Sequence, residues 1–459
     1  MQLAKITCLT KHHFTFLSAV LLCGVAVKAQ DNSPYSRYGL GNEFPRTNVV
    51  NRGMGGISAA YIDVTSVNYT NPASYAKFQA YMEQRSGKVS SARVILDVGV
   101  DFTNRKLAEP NTPNSFRSSD ALFSHVYVGI PIRRNWGLAF GIRPITRISY
   151  DIFRTERLGN PTRPGGSIDS AITQFTGTGG SFLPTIGTGF GSRNFSVGFN
   201  IGYLFGKKEL TTRRAFINDT VEYAASNHTS NTTFGNVFFD AGAQYTVDIA
   251  KNSLLRFGVS GNWKQTIKGS QDVLRQTYVR NATGQELQVD SVFNTTDVAG
   301  EIIYPASYTA GIYYEKGGAE KTRGFSLGLD YVTSQWDGYR FFGAKDLVQN
   351  SWEVRLGAQL TPLLQASSYG QAVSFRFGAF AGTDYVRADN NKLPVYGLSF
   401  GVGLPIRPSR QSPNQFSVVN LALEYIKRGN EQNKIKENLI RLSLGFNFTD
   451  LWFGKRKYD

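Results

Sequence analysis

Between Phe195 and Phe205 the chain reads FSVGFNIGYLF, which sets Phe195, Val197, Phe199, Ile201, Tyr203 and Phe205 against Ser196, Gly198, Asn200 and Gly202. Successive side chains of a strand point to opposite faces, so this run has one large apolar face and one small or polar face. Only Leu204 breaks the second face. Strands of soluble sandwiches also alternate, but they are usually about five or six residues long and seldom so aromatic. A strand of this length with one greasy face is what a bilayer demands of a β-barrel wall, where about 9–11 residues suffice to cross.

The same pattern recurs. Val94, Leu96, Val98, Val100 and Phe102 alternate with Ile95, Asp97, Gly99, Asp101 and Thr103, and Trp136, Leu138, Phe140 and Ile142 with Gly137, Ala139, Gly141 and Arg143. In NLIRLSLGFNF, Ile440, Leu442, Leu444, Phe446 and Phe448 oppose Arg441, Ser443, Gly445 and Asn447. Runs of this kind are expected near 88–103, 121–132, 136–150, 182–190, 195–208, 233–248, 254–267, 302–315, 324–334, 351–361, 372–386, 395–406, 416–427 and 438–448. The fold class is therefore all-β, a 14-stranded antiparallel transmembrane β-barrel. Long polar gaps at 151–181, 209–232 and 268–301 alternate with tight ones such as 133–135 and 191–194, the loop-and-turn asymmetry of outer-membrane barrels with short turns in the periplasm. An even count then puts both mature termini in the periplasm. GIPIR ending at Arg133 and GLPIR ending at Arg407 repeat at two such turns, where Pro131 and Pro405 lack a donor that an ending strand does not need.

The beginning of the chain supplies the address. Lys5 and Lys11, the apolar run Phe14 to Val27, and small residues Val27 and Ala29 before Gln30 read as a signal peptide over 1–29. Cys8 and Cys23 both lie inside it, as do His12 and His13, leaving His125 and His228 for the mature chain. Disulfide, thiolate and zinc chemistry are poorly supplied, and neither metal nor cofactor is expected. The net charge of +16, to which Lys5, Lys11 and Lys28 contribute, would suggest nucleic acid in a cytosolic chain. In an exported one it points instead to anionic lipid, including lipopolysaccharide, anionic solutes or an acidic partner.

Residues 30–80 precede the wall and contain NRGMGGISAAYIDVTSVNYTNPASYA. With Arg52, Gly53, Gly55 and Gly56 leading to Asn71, Pro72 and Ala73, the chain resembles the FadL-like outer-membrane transport family, and SPYSRYGLG with DLWFGKRKYD resembles a Bacteroidota branch of it. The resemblance implies an amino-terminal hatch over 30–80 plugging the lumen of a barrel over 81–448, with a periplasmic tail at 449–459. It also implies uptake of a hydrophobic or small molecule that leaves sideways through a gap at the third strand, where Pro144, with Pro184 beside it, would interrupt the ladder. Two functions stay open: a hatch-gated channel, and a non-transporting barrel subunit of a larger outer-membrane complex such as the type 9 secretion or barrel-assembly machinery. Polar lumen positions Asp97, Asp101, Arg143, Arg441 and Asn447 fit a lipid channel poorly. An enzyme is not expected, since no nucleophile elbow or paired-carboxylate motif accompanies His125 or His228.

Overall fold

The computed structural model describes residues 33–82, 89–110, 112–113, 115–158, 170–217, 223–281, 283–319, 322–363, 366–388, 391–406 and 415–452; the expected leader, Arg407 and the chain beyond Trp452 lie outside them. All fourteen expected strands are present: β1 (Val89–Ala108), β2 (Ser115–Arg133), β3 (Trp136–Arg157), β4 (Ser170–Gly191), β5 (Phe195–Ile217), β6 (Ala225–Ala250), β7 (Ser253–Asn262 continuing as Gln265–Arg280), β8 (Glu286–Tyr304 continuing as Ser307–Lys316), β9 (Phe325–Ser334), β10 (Ser351–Leu360), β11 (Ser374–Thr383), β12 (Pro394–Ile406), β13 (Phe416–Arg428) and β14 (Lys436–Trp452). Each pairs antiparallel with its neighbours, and β14 returns to β1 from Lys436↔Ala108 to Trp452↔Ala92. The wall is thus a closed cylinder whose backbone groups are satisfied strand to strand except where β2 and β3 part beyond Val126↔Ile142, the pairing that lets strands cross lipid. No described helix is long and apolar enough to cross a membrane.

The alternation sorts as the sequence implies. Phe199, Tyr203, Phe377, Leu398, Tyr425 and Leu442 stand exposed on the outside, while Ser196, Asn200, Ser399, Asn420 and Ser443 are buried within. Leu204, the exception in its strand, is 1% exposed and packs inside with Tyr35, Leu40 and Leu183. Its break in the polar face is a contact with the residues that precede the wall.

The strands differ from expectation at one rim. Stretches 151–181, 209–232 and 268–301, expected as polar loops, are largely strand: β3 reaches Arg157, β4 starts at Ser170, β5 reaches Ile217, and the β7–β8 hairpin extends to Arg280 and Glu286. His228, expected in a loop, lies in β6 opposite Thr212. Clear of the bilayer both faces of a strand meet water, so the apolar alternation vanishes, and residues such as Thr211, Thr212 and Thr229 form strand through their β-preference and the ladder alone. β9, β10 and β11 keep 10 residues each, about enough for the bilayer. The wall is therefore tallest from β3 to β8 and lowest from β9 to β11. β14 also continues past Phe448 to Trp452, taking in the first residues of the expected tail.

Inward glycines make room for backbone. A Cβ on Gly258 would lie 2.0 Å from the Ala59 carbonyl oxygen, one on Gly378 2.0 Å from the Gly55 nitrogen, and one on Gly137 2.1 Å from the Tyr75 oxygen. These three come from different sides of the cylinder, on β7, β11 and β3, and each faces a different part of the chain between Ser33 and Phe78. Gly378→Ala should force that chain off the wall at a cost of about 1–3 kcal/mol. Limited trypsinolysis of the folded barrel checks this: cleavage at Arg46 or Arg52 should accelerate in the variant and stay slow in the parent.

Candidate functional site

Residues 33–82 contain little regular structure: a 3-10 turn at Pro34–Arg37, a short strand at Asn42–Glu43, one helical turn at Val49–Arg52 and a 3-10 turn at Pro72–Lys77. Isolated pieces this short are not stable alone, so partners must hold them. Asn48 caps the helical turn, its side-chain oxygen accepting from the Asn51 N–H at 2.9 Å. Asn71 caps the second 3-10 turn by accepting from Ala73 N–H at 3.1 Å, while its amide donates to the Ala59 and Val259 carbonyls. Gly55 and Gly56 sit at φ +68° and +84°, a region that a Cβ disfavours, and Gly53 packs on Gly401. A Cβ on Gly198 would meet Pro72 at 2.4 Å. The structure thus places Arg52, Gly53, Gly55, Gly56, Asn71, Pro72 and Ala73 against the inner wall, near one another only through intervening chain.

Charged groups fasten this segment. Arg52, 1% exposed, donates to Asp101 on β1 at 2.5 Å, to Ser124 on β2 at 2.6 Å, to Ser443 on β14 at 3.2 Å and to its own Thr47 carbonyl at 3.0 Å. Burial alone would lower the Arg52 pKa, but Asp101 outweighs it, so the guanidinium stays charged. Asp97 accepts from Val67 N–H at 3.0 Å, and Asp330 from Ser58 and Ala59 N–H at 2.7 and 2.9 Å. Arg355 and Arg256 donate to the Gly56 and Ala60 carbonyls at 3.0 and 3.1 Å. At the tall rim Ser33 donates to Glu437 at 2.6 Å, and Glu437 pairs with Arg428 at 3.2 Å. Arg428 also meets Asp384 at 2.9 Å; burial pushes that loop carboxyl up, against the pull of Arg428. The inward polar residues are therefore tethers, and sequence alone left them as lumen lining. Asn447 binds the Asn420 amide at 2.6 Å, Arg441 pairs with Glu424 at 3.2 Å, and Arg143 lies over the Tyr69 ring at 5.4 Å.

Pro144 stands at a discontinuity. The β2–β3 ladder ends at Val126↔Ile142, whereas β3 stays paired with β4 as far as Arg157↔Ser170, with a register shift between Pro144 and Thr146. Beyond Ile142 the other edge of β3 is taken by the amino-terminal segment: Asn42 and Glu43 pair with Arg147 and Thr146, Phe44 N–H donates to Ile145 at 2.9 Å, and Ser33 N–H to Ser149 at 3.0 Å. Pro184 makes a smaller gap, since the β4–β5 ladder skips Leu183 and Pro184 between Phe182↔Phe205 and Thr185↔Gly202.

One constellation is absent from the sequence reading. Ser124 is the extra residue of a bulge opposite Gly99 and Val100, so it and His125 both turn inward. The Ser124 hydroxyl lies 3.1 Å from His125 Nδ1, and His125 Nε2 lies 3.0 Å from Asp97 Oδ1. This order resembles a hydrolytic triad, yet all three residues are buried and the hydroxyl accepts from Arg52. A nucleophile needs a place for the reacting carbonyl beside it, and here the amino-terminal segment occupies that place. An interior cavity of about 240 Å³ is lined by charged side chains, Arg46, Arg105, Arg355, Glu43, Glu353 and Glu424, together with apolar ones such as Phe44, Val332, Phe380 and Leu439. Among the described residues no cluster of three His, Cys, Asp or Glu side chains could hold a metal.

A closed fourteen-stranded wall with an apolar outer belt defines this chain as an outer-membrane β-barrel of the FadL-like fold. Within that class it belongs to the BamG family, whose model matches residues 10–459. It is similar to the CymD monoaromatic hydrocarbon channel (15% identity, 89% of this chain and 98% of that one, TM-score 0.50). It is similar also to a Pseudomonas aeruginosa FadL homologue (11%, 90% and 100%, 0.49) and to the Ralstonia pickettii toluene transporter TbuX (12%, 88% and 98%, 0.48). At such identities the likeness is one of fold. No curated protein matched the chain.

Removing one partner of the buried pair should cost more than removing both. Arg52→Met should destabilise the barrel by about 3–5 kcal/mol by stranding the Asp101 carboxylate, and adding Asp101→Leu should restore most of it. Urea unfolding of the refolded barrel, followed by tryptophan fluorescence, measures both.

Proposed function

We propose that this protein is a sealed barrel that works as a subunit of a larger outer-membrane assembly, of the barrel-assembly or type 9 secretion kind. The observation that supports this best is the interior: the residues before the wall fill it and are tied by buried charged hydrogen bonds to β1, β2, β7, β9, β10 and β14. The space left over carries several charged side chains among apolar ones, and buried charge is a poor neighbour for a hydrocarbon or an acyl chain. Membership of the BamG family points the same way. On this reading the segment 33–78 is a static plug, the motif from Arg52 to Ala73 is its fastening, and both mature termini lie in the periplasm, where the short turns are. The barrel offers the assembly an outer surface, with lipid and lipopolysaccharide around its belt.

A second reading keeps the gated uptake of hydrophobic or small molecules, and one observation favours it. The wall is unzipped between β2 and β3 above Ile142, and what stands in the opening is the short strand Asn42–Glu43 rather than a strand of the wall. Sideways exit there would require Asn42–Glu43 to leave β3.

Planar-bilayer recordings and mild-detergent purification separate the two. The native barrel should conduct no ions and carry no bound hydrocarbon, while a variant lacking 33–78 should open a large steady pore. Recovery with other outer-membrane proteins in fixed ratio supports the subunit; toluene-dependent uptake by the native barrel, lost in Pro144→Val, supports the channel and overturns the first reading.

A further inference from the structure

The tall part of the wall ends in a strand with nothing beside it. From Glu286 to Gly300, β8 pairs only with β7; its other edge meets the short strand Arg340–Phe341 at Ile302 and Ile303, and the Glu301 carbonyl accepts from Phe342 N–H, but no described strand follows higher up. Those residues would run about 50 Å if fully extended. Nearly all are exposed on both faces, including Val289 at 59% and Val292 at 70%. β9 to β11 cross the bilayer in 10 residues, so this stretch stands clear of lipid and its apolar groups face water. Long edge strands that carry apolar side chains template pairing with another chain, and proteins usually blunt them with lysine, proline or short length. Lysine and proline are absent here; the ladder with β7 is bulged at Val289, Val292 and 296–297, which turns those side chains without covering the edge.

The charge of the strand says what would pair with it. ELQVDSVFNTTDVAGEIIY holds Glu286, Asp290, Asp297 and Glu301 and no lysine or arginine, in a chain with a net charge of +16. Glu286 is paired with Arg213 and Arg280, but Asp290, Asp297 and Glu301 have no ion-pair partner among the described residues. We propose that this edge of β8 accepts an extended, basic segment of a partner protein as an added strand. Main-chain hydrogen bonds would supply the affinity, Val289 and Val292 the apolar contact, and Asp290 the preference for lysine or arginine. This rests on the subunit reading and names the surface through which that subunit docks.

The test uses the full barrel in detergent micelles and three fluorescent ten-residue peptides: lysine alternating with valine, glutamate alternating with valine, and the lysine peptide with its central backbone amides N-methylated. Fluorescence anisotropy should give the first at least tenfold tighter binding than either of the others. The double variant Asp290→Lys with Val292→Lys, both changes on exposed positions, should lose at least tenfold of that affinity while keeping the parent's heat-modifiable gel mobility. Equal binding of the lysine and glutamate peptides, or an unchanged affinity in the folded double variant, overturns the proposal. Mild-detergent purification of parent and double variant tells the two levels apart. If both recover the same outer-membrane partners in the same amount, the edge is not the docking surface though the subunit reading stands. If only the parent recovers them, the edge is the docking surface; if neither does while the peptide still binds edge-specifically, the subunit reading fails and the strand-accepting edge remains.

Discussion

Hydrocarbon offers no hydrogen bonds, so every backbone group that crosses it must be paired inside the protein, and this chain pairs them by closing fourteen strands on themselves. The rest of the structure follows from the width that this number imposes. An eight-stranded barrel is narrow enough for its own side chains to fill the inside, but a fourteen-stranded one is not. Something else must occupy the centre, or water will. In this protein the occupant is the chain's own beginning, and the inward faces are built around it.

That construction explains why the wall is rich in glycine on its inner side. Gly137, Gly258 and Gly378 let backbone lie against backbone, which brings the carbonyls and N–H groups of residues 55–75 within reach of Asp97, Asp330, Arg256 and Arg355. An irregular segment has no ladder of its own and would bury unsatisfied polar groups at large cost. Charged wall residues meet that need from several directions. Aromatic packing then adds area: Tyr69 stacks on Tyr127 at 4.5 Å, and Val67, Tyr75 and Phe78 share that cluster with Ile95.

What could be read in advance depended on which solvent a residue faces. Lipid makes one face of a strand uniformly apolar, so fourteen crossings were visible in alternation alone, down to Trp136–Ile142 and Ile440–Phe448. Where both faces meet water, as from Thr211 to Ile217, no such signal exists and strand looked like loop. Inside the barrel the kind of residue was legible but not its role. Asp101 and Ser443 read as polar lumen, because their common partner Arg52 lies 49 and 391 residues away along the chain. Ser124 was hidden by the bulge that turns it inward, since a bulge breaks the very alternation used to find the strand. Leu204 and Ile95 were the local clues to the filled interior, apolar residues on polar faces that pack against the segment before the wall.

The strength of these tethers bears on whether the segment could move as a whole. A net contribution of about 1.5–3 kcal/mol for each hydrogen bond to a charged group, taken for Arg52 on Asp101, Arg256 on Ala60, Arg355 on Gly56 and Asp330 on Ala59, gives roughly 6–12 kcal/mol. An open state that costly is populated at about one part in ten thousand or far less, before any buried aromatic is exposed. Ejecting the segment whole would have to break all four of these at once. Asn42–Glu43 is held to β3 by two paired residues and the Phe44 bond and to β13 by Arg428, which donates to Asn42 at 3.0 Å, so the edge beside Pro144 is closed from two sides.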